Sequence, residues 1–256
     1  MGTILLFDLD GTLIKSNGAG TRALNRAFEV HYGLTEAIAR VDWRGKPDTR
    51  IIAETLAVHG LPADDRAIER VRTSYLQFLE EAVKQYPGTL PPGIPSLLVA
   101  AKERGFRLGL GTGNLERGAR IKLAVHDLNR FFPVGGFAED GFDRAELIRK
   151  AAERTAAYYC DHEELERVIV VGDTPLDIEA AARNGYYSLA VATGTHSLRE
   201  LSACHPTLLY PDLGAVREIL DAIEELPPFS LARSADPGQR RSRQELERPV
   251  SPEMRA

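Results

Sequence analysis

The amino-acid sequence predicts an α/β fold: a Rossmann-like, open and mainly parallel β-sheet with an inserted α-helical domain. The first observation behind this prediction is that short apolar runs alternate with helical patterns along much of the chain, as in sheets built from strand–helix–strand units. The second is that these runs are almost continuously apolar, which is typical of strands covered on both faces. The third is one long interval, after the first strand, in which only helical patterns occur.

Five strands and four helices are predicted for the sheet-forming part of the chain. Each predicted strand is a short apolar run bordered by glycine or acidic residues. The predicted strands cover residues 3–7, 107–110, 134–137, 168–171 and 187–191, and the predicted helices cover 94–104, 116–126, 145–159 and 175–184. A parallel sheet follows because a helix between two strands carries the chain back to the edge from which it started.

The interval from residue 17 to 86 is predicted to form a separate helical domain. Its helical patterns cover residues 19–31, 48–59 and 63–85. A segment rich in turn-forming residues, 86–93, then marks the return to the sheet. The sheet domain would therefore comprise residues 1–16 and 87–226.

Composition narrows the possible classes of protein. The chain has 256 residues, enough for a hydrophobic core without disulfides, and a net charge of −5, which argues against nucleic acid as the main partner. Cys160 and Cys204 lie far apart, so neither a disulfide framework nor a zinc site is expected, and the cytoplasm is the expected location. No apolar run approaches the roughly 20 residues that cross a bilayer. Residues 227–256, rich in proline and arginine, are predicted to be a disordered tail.

Two acidic residues, Asp8 and Asp10, directly follow the first predicted strand. Ligands of open α/β sheets bind beyond the carboxyl ends of the strands, so both carboxylates are expected to face a ligand. Two neighbouring carboxylates repel each other and lose solvation on burial, and a bound Mg²⁺ would remove that cost. Asp8 could act as a nucleophile and Asp10 as a general acid and base.

A second acidic cluster follows the strand predicted at 168–171. Asp173 falls at the end of this strand, where it can meet Asp8 on the same edge of the sheet and complete a metal site. Asp177 lies one helical turn later and could act on the metal directly or through water. A helix cap would explain one of these acids but not two clusters that both follow strands.

A third polar cluster, Thr112–Gly113–Asn114, also ends a strand and begins a helix. The threonine hydroxyl and the backbone N–H groups of a helix N-terminus are suited to binding phosphate. The cluster is equally compatible with a simple helix cap, and its position on the same sheet edge is what favours phosphate.

Together, Asp8-x-Asp10-Gly-Thr, Thr112 and Gly-Asp173-x-x-x-Asp177 resemble the motifs of the haloacid-dehalogenase superfamily, most of all its phosphoglycolate-phosphatase-like branch. The resemblance spans residues 1–226 and implies that the helical insert is the cap of that family. It also implies that Asp8 is the nucleophile and a Mg²⁺ ligand, and that Asp10 is the acid and base and gives its backbone carbonyl to the metal. Thr112 would bind the transferred phosphoryl group, and Asp173 and Asp177 would serve the metal.

The basic residue of the family pattern departs from the commonest form. The family usually has lysine near the start of the helix before the last acidic strand, and this chain has Arg144 there, with Lys150 about two turns further on. Arg144 is the expected phosphate ligand because it lies nearer the sheet edge and a guanidinium can bind phosphate through two hydrogen bonds. Lys122 and Lys150 are expected to be surface charges.

In the cap, Arg44 and Lys46 flank a glycine that would let the segment approach a ligand closely. One or both could contact an anionic leaving group such as a carboxylate, although a solvated loop with Asp48 as a helix N-cap explains the segment equally well. The neighbouring Trp43 is expected to anchor the core of the cap.

These observations predict a Mg²⁺-dependent phosphatase that hydrolyses a small phosphate monoester, with phosphoglycolate the first candidate, through an aspartyl-phosphate. A phosphomutase, another phosphoryl-transfer enzyme of the superfamily, or a non-catalytic regulator that binds a phosphorylated ligand would use the same motifs and stay open as alternatives. The expected partner is a small phosphorylated metabolite, without nucleic acid or membrane, and the expected assembly is a monomer or homodimer.

Overall fold

The structure is a computed structural model that describes residues 2–159 and 165–229. Its centre is a six-stranded, fully parallel sheet with the strand order β3-β2-β1-β4-β5-β6. The strands are β1 (Gly2–Phe7), β2 (Arg107–Gly111), β3 (Gly135–Gly136), β4 (Leu165–Gly172), β5 (Tyr187–Val191) and β6 (Leu208–Tyr210). The predicted α/β class is therefore confirmed.

Helices cover both faces of this sheet. Of the four helices between β1 and β2, the first three form an insert. The helices are α1 (Ala19–Tyr32), α2 (Asp48–Val58), α3 (Asp65–Gln85), α4 (Ile94–Glu103), α5 (Glu116–Ala124), α6 (Arg144–Tyr158), α7 (Pro175–Arg183), α8 (Leu198–Ser202) and α9 (Val216–Glu225). Within the two described ranges, no helix is long and apolar enough to cross a bilayer.

The apolar strands are explained by their position between two layers of helices. Alternate residues of β1 point to opposite faces. Leu5 and Phe7 join a cluster that includes residues of α4, α5 and α9, whereas Ile4 and Leu6 join one formed with α6 and α7. The register pairs Phe7 with both Leu110 and Val171, so the ends of β1, β2 and β4 lie side by side.

The five predicted strands and four predicted sheet-domain helices are confirmed, with ends shifted by a few residues. The sequence assigned no element to β6, α8 or α9. Strand β6 has only three residues, all partly exposed at the sheet edge, which is too short to show an alternating pattern. Helix α9 buries one apolar face, through Ile219, Leu220 and Ile223, and the spacing of these residues in the sequence is typical of an amphipathic helix.

Helices α1, α2 and α3 form the cap and pack around their own apolar cluster, which includes Phe28 and Leu79. Leu115 and Ala138 of the sheet domain join this cluster, so the cap rests directly on the sheet domain. Two hydrogen bonds strengthen the contact: the Asp48 N–H donates to the Gly113 carbonyl at 2.6 Å, and the Thr49 hydroxyl donates to the Ala138 carbonyl at 2.9 Å.

The predicted tail begins with an ordered contact. Phe229 stacks on Tyr186 and Tyr187 with ring-centroid distances of 6.0 and 5.8 Å, and the Tyr187 hydroxyl donates to the Pro227 carbonyl at 2.8 Å. The rest of the predicted tail, residues 230–256, and Cys160 lie outside the described residues.

Candidate active site

The candidate site lies at the carboxyl edge of the sheet, where three neighbouring strands end. Asp8 follows β1, Thr112 follows β2 and Asp173 follows β4. Because β1 lies between the other two strands, these distant parts of the sequence meet at one place. The cap covers this edge, and a cavity of about 430 Å³ remains between the two domains.

Three carboxylates form the floor of the site. Asp8, Asp173 and Asp177 are 5%, 3% and 2% exposed, and each offers an oxygen within 4.8 Å of the others. Burial, together with the neighbouring carboxylates, raises the pKa of Asp8 and of Asp173 above the usual range, although Arg144 opposes the effect. The negative charge of this cluster is therefore only partly compensated.

Arg144 is the cation of the cluster and lies where the sequence predicted it. Its Nη2 is 2.9 Å from Asp8 Oδ1 and 2.5 Å from Asp177 Oδ1, and it donates to the Gly111 carbonyl at 3.2 Å. Burial would lower the pKa of the guanidinium, but the two carboxylates raise it instead. Lys150 lies apart from this cluster, since its ammonium bonds the Asp140 carbonyl at 2.7 Å and pairs with Glu146.

The donor set fits a hard divalent cation. Three carboxylates and one guanidinium leave two negative charges, and Mg²⁺ prefers carboxylate oxygens. Asp177 has both oxygens engaged, Oδ1 by Arg144 and Oδ2 by the Thr174 N–H and hydroxyl at 3.1 and 2.8 Å. Among the described residues, Asp173 accepts one side-chain hydrogen bond, from the Thr12 hydroxyl at 3.1 Å. Asp8 and Asp173 are therefore the better candidates for direct ligands, and Asp177 orients Arg144.

Asp10 points away from this cluster and is held by three donors. The Ser16 hydroxyl donates to Oδ1 at 2.5 Å, while Asn114 Nδ2 and Lys122 Nζ donate to Oδ2 at 2.8 and 2.6 Å. Burial would raise the pKa of Asp10, but the Lys122 charge and these hydrogen bonds outweigh it and lower the pKa. Asp8 and Asp10 thus have pKa values displaced in opposite directions, as separate chemical roles require.

The expectation that Lys122 is a surface charge was wrong. Its side chain is only 5% exposed, and its ammonium donates to Asp10 Oδ2 and to the side-chain oxygen Oδ1 of Asn114, both at 2.6 Å. The physical reason is helical periodicity: the inward face of α5 contains Gly118, Ala119, Lys122 and Leu123. This pattern was visible in the sequence and placed the lysine among core residues.

The Thr112–Asn114 segment supports the site from the β2 side. Thr112 is fully buried, and its hydroxyl accepts from Asn114 Nδ2 at 2.9 Å, so it lies behind the cavity wall that Gly113 and Asn114 form. A Cβ on Gly113 would lie 2.7 Å from the Lys46 carbonyl oxygen, so only glycine allows the cap loop to approach this closely. Phosphate binding by Thr112 stays a prediction.

The cap loop lines the cavity with its two predicted cations. The Lys46 ammonium pairs with Glu54 at 2.7 Å, and Glu54 also pairs with Arg50 at 2.7 Å. The Arg44 guanidinium is about half exposed and lies 5.3 Å from the centroid of the Trp43 ring. Trp43 itself is 36% exposed and lies outside the apolar cluster of the cap, so it lines the cavity and does not anchor the cap core.

Asp48 joins the cap to the sheet domain through a hydrogen bond that the sequence did not predict. It is the first residue of α2, and its carboxylate accepts from the Leu115 N–H at 3.0 Å instead of capping its own helix. Burial raises the pKa of Asp48 to about 6, against the lowering effects of Lys122 and of the Leu115 hydrogen bond. Tyr75 of α3 hydrogen-bonds to Asp48, and burial next to this acid raises the pKa of the phenol. No pattern in the sequence links residues this far apart.

A buried carboxylate followed by a second acid, a cluster of carboxylates that could hold a cation and a covered cavity at the sheet edge are features suited to phosphoryl transfer. Comparison with known proteins agrees. The chain belongs to the haloacid dehalogenase-like hydrolase family, whose sequence model matches residues 5–191.

Two curated relatives are 31% identical to this chain. A 5'-nucleotidase from Pseudomonas aeruginosa aligns over 225 residues, 85% of this chain and 95% of the relative. A phosphoglycolate phosphatase from Aquifex aeolicus aligns over 185 residues, 71% of this chain and 81% of the relative. The solved structure of a hydrolase from Pseudomonas syringae is similar in fold, with a TM-score of 0.67 at 22% identity, covering 86% of this chain and 99% of that one. The predicted phosphatase class and branch of the superfamily are confirmed.

The partly buried Asp48 carboxyl predicts a pH dependence of stability. Its pKa is about 6 in the folded protein and near 3.8 when unfolded, so between these values the unfolded chain loses a proton that the folded protein keeps. The contribution of Asp48 to the stability of the parent therefore falls as pH rises, and Asp48→Asn removes this contribution. We expect the difference between the unfolding free energy of the variant and that of the parent to rise by about 2 to 3 kcal/mol from pH 4 to pH 7. Urea titrations of both proteins measure the difference, and a pH-independent difference would contradict this assignment.

Proposed function

We propose that the protein is a Mg²⁺-dependent phosphatase that hydrolyses a small phosphate monoester through an aspartyl-phosphate on Asp8. The observation that carries this proposal is the buried cluster in which Asp8, Asp173 and Asp177 face the single guanidinium of Arg144. A divalent cation and a phosphate, held together at this point, complement such a cluster.

In the first step, the Asp8 carboxylate attacks phosphorus, and the bond between phosphorus and the leaving oxygen breaks. The leaving oxygen takes a proton from Asp10, which faces the same cavity. A phosphate dianion near Asp10 raises the pKa of that carboxyl and so opposes the effect of Lys122, which helps Asp10 to carry the proton. The alcohol product departs toward the cap.

In the second step, Asp10 takes a proton from a water molecule, and the resulting hydroxide attacks phosphorus. The bond between phosphorus and Asp8 then breaks and inorganic phosphate leaves. Arg144, fixed between Asp8 and Asp177, is placed to pair with the oxygens of the phosphoryl group in both steps. Asp8, Asp173 and the backbone carbonyl of Asp10 would hold Mg²⁺, which would neutralise part of the negative charge of the phosphoryl group.

The first candidate for the substrate is an ester like phosphoglycolate, whose alcohol part carries a carboxylate. The relative from Aquifex aeolicus carries that activity in its name. Arg44 lines the cavity, is about half exposed and pairs with Asp42 at 3.5 Å, which leaves its guanidinium accessible to a substrate. A carboxylate on the substrate would pair with it. A phosphomutase stays the main alternative because it would use the same acids, and a non-catalytic regulator is the lesser one. We further propose action in the cytoplasm, as a monomer or homodimer.

The nucleophile and the metal give the first prediction on activity. We expect Asp8→Asn to lower Mg²⁺-dependent hydrolysis of 4-nitrophenyl phosphate by at least about 10⁴-fold. Chelation with EDTA should stop the parent enzyme, and added Mg²⁺ should restore it. Asp127→Asn, at an exposed position, is the matched control and should keep full activity. Turnover that survives either Asp8→Asn or EDTA would rule out this mechanism.

The cap arginine gives a prediction on specificity. Arg44→Ala should raise KM for phosphoglycolate about tenfold, the value of one charge-assisted hydrogen bond. It should leave KM for glycerol phosphate, whose alcohol part carries no charge, within about twofold. Steady-state kinetics on both substrates measure the contrast. Arg40→Ala, an exposed cap arginine outside the cavity, is the control. Equal changes for both substrates would remove Arg44 from substrate recognition.

A further inference from the structure

Lys122 is an almost fully buried cation that belongs to none of the motifs predicted from the sequence. It projects from the last turn of α5, and its ammonium lies beside the cavity. Removing an ammonium from water is costly unless charge and hydrogen bonds compensate. A lysine at this position therefore needs partners that compensate for its lost hydration. One of its partners is Asp10, the acid and base of the proposed reaction.

The contacts of Lys122 concentrate on one oxygen of Asp10. The ammonium donates to Asp10 Oδ2 and to Asn114 Oδ1, both at 2.6 Å, and Asn114 Nδ2 donates back to the same Asp10 Oδ2 at 2.8 Å. Neither the ammonium nor the amide NH₂ can accept a hydrogen bond. Oδ2 is therefore fixed as an acceptor.

The other oxygen, Oδ1, has a different partner. The Ser16 hydroxyl contacts it at 2.5 Å, and a hydroxyl can both donate and accept. Oδ1 is thus the oxygen on which a proton can be gained and lost without breaking the contacts of Oδ2. The carboxylate plane is fixed by three side chains from three segments of the chain.

Residues of the cap lie close to the Lys122 ammonium. A Cβ on Gly20 of α1 would lie 3.4 Å from the Lys122 ammonium and 3.6 Å from the Tyr75 hydroxyl of α3. Gly20 of α1 and the Tyr75 hydroxyl of α3 therefore lie near the ammonium, and a larger side chain at position 20 would crowd it. The cap thus leaves little room for Lys122 on this side of its bonds with Asp10 and Asn114.

We propose that Lys122 is a positioning residue, which holds Asp10 so that Oδ1 delivers the proton to the leaving oxygen; this rests on the proposed function. Without Lys122, Oδ2 loses its charged donor and the carboxylate can rotate. Correct proton delivery matters in proportion to the basicity of the leaving group. An alkoxide needs a proton as it leaves, whereas 4-nitrophenolate leaves without one.

The experiment compares two leaving groups in one variant. For Lys122→Met, we expect kcat/KM to fall about 100-fold with an alkyl phosphate such as glycerol phosphate, and less than about threefold with 4-nitrophenyl phosphate. The ratio kcat/KM reports on the step that transfers the phosphoryl group to Asp8, where the acid acts. Lys122→Gln, which keeps a neutral donor, should lose less than Lys122→Met with the alkyl substrate. Lys150→Met, at a lysine outside the cavity, should change neither value.

The outcomes separate this proposal from the proposed function. Equal losses on both substrates, or no loss on either, would overturn the positioning role, because a structural role affects both esters alike. If Lys122→Met does not fold, the same comparison on Lys122→Gln decides. If turnover survives in Asp8→Asn, the proposed chemistry itself fails. If that variant is inactive and Lys122→Met affects both esters equally, only the role of Lys122 fails.

Discussion

The architecture of the site depends on the electrostatic imbalance between three buried carboxylates and one buried guanidinium. Arg144 neutralises part of the charge of Asp8 and Asp177, while Asp173 gains little from it. Burial of unpaired charge opposes folding. A protein that keeps such a cluster needs a ligand of opposite charge, and a divalent cation meets that need with the residues present.

The parallel sheet makes this cluster possible because it brings the ends of β1, β2 and β4 to one edge. The same arrangement separates two electrostatic environments around neighbouring residues. Asp8 faces the acidic cluster, and Asp10 faces Lys122 and Asn114. Two aspartates, one residue apart in the chain, therefore have pKa values shifted in opposite directions. The cap completes this separation by covering the site from above.

Much of the fold and of the acidic cluster could be predicted because both follow from local patterns: apolar runs, and acids directly after them. Arg144 could be placed because it begins a helix at the same edge. Lys122 was misjudged because its charge was given more weight than the helical face on which it lies. Asp48 and Tyr75 could not be found, since their interaction depends on how α2 and α3 pack against each other and against the loop after β2. The apolar faces of the cap helices are periodic in the sequence, but the pairing of individual polar side chains between packed elements is not.

The most direct test of this account is a crystal structure of the protein with Mg²⁺ and beryllium fluoride, a mimic of the phosphoryl group. The account predicts a beryllium adduct on the Asp8 carboxylate and one Mg²⁺ at about 2.0 to 2.1 Å from oxygens of Asp8 and Asp173. Arg144 should contact the fluorides. A cation bound away from Asp173, or an adduct that forms on any residue other than Asp8, would contradict the central claim that these acids share one cation at the site of phosphoryl transfer.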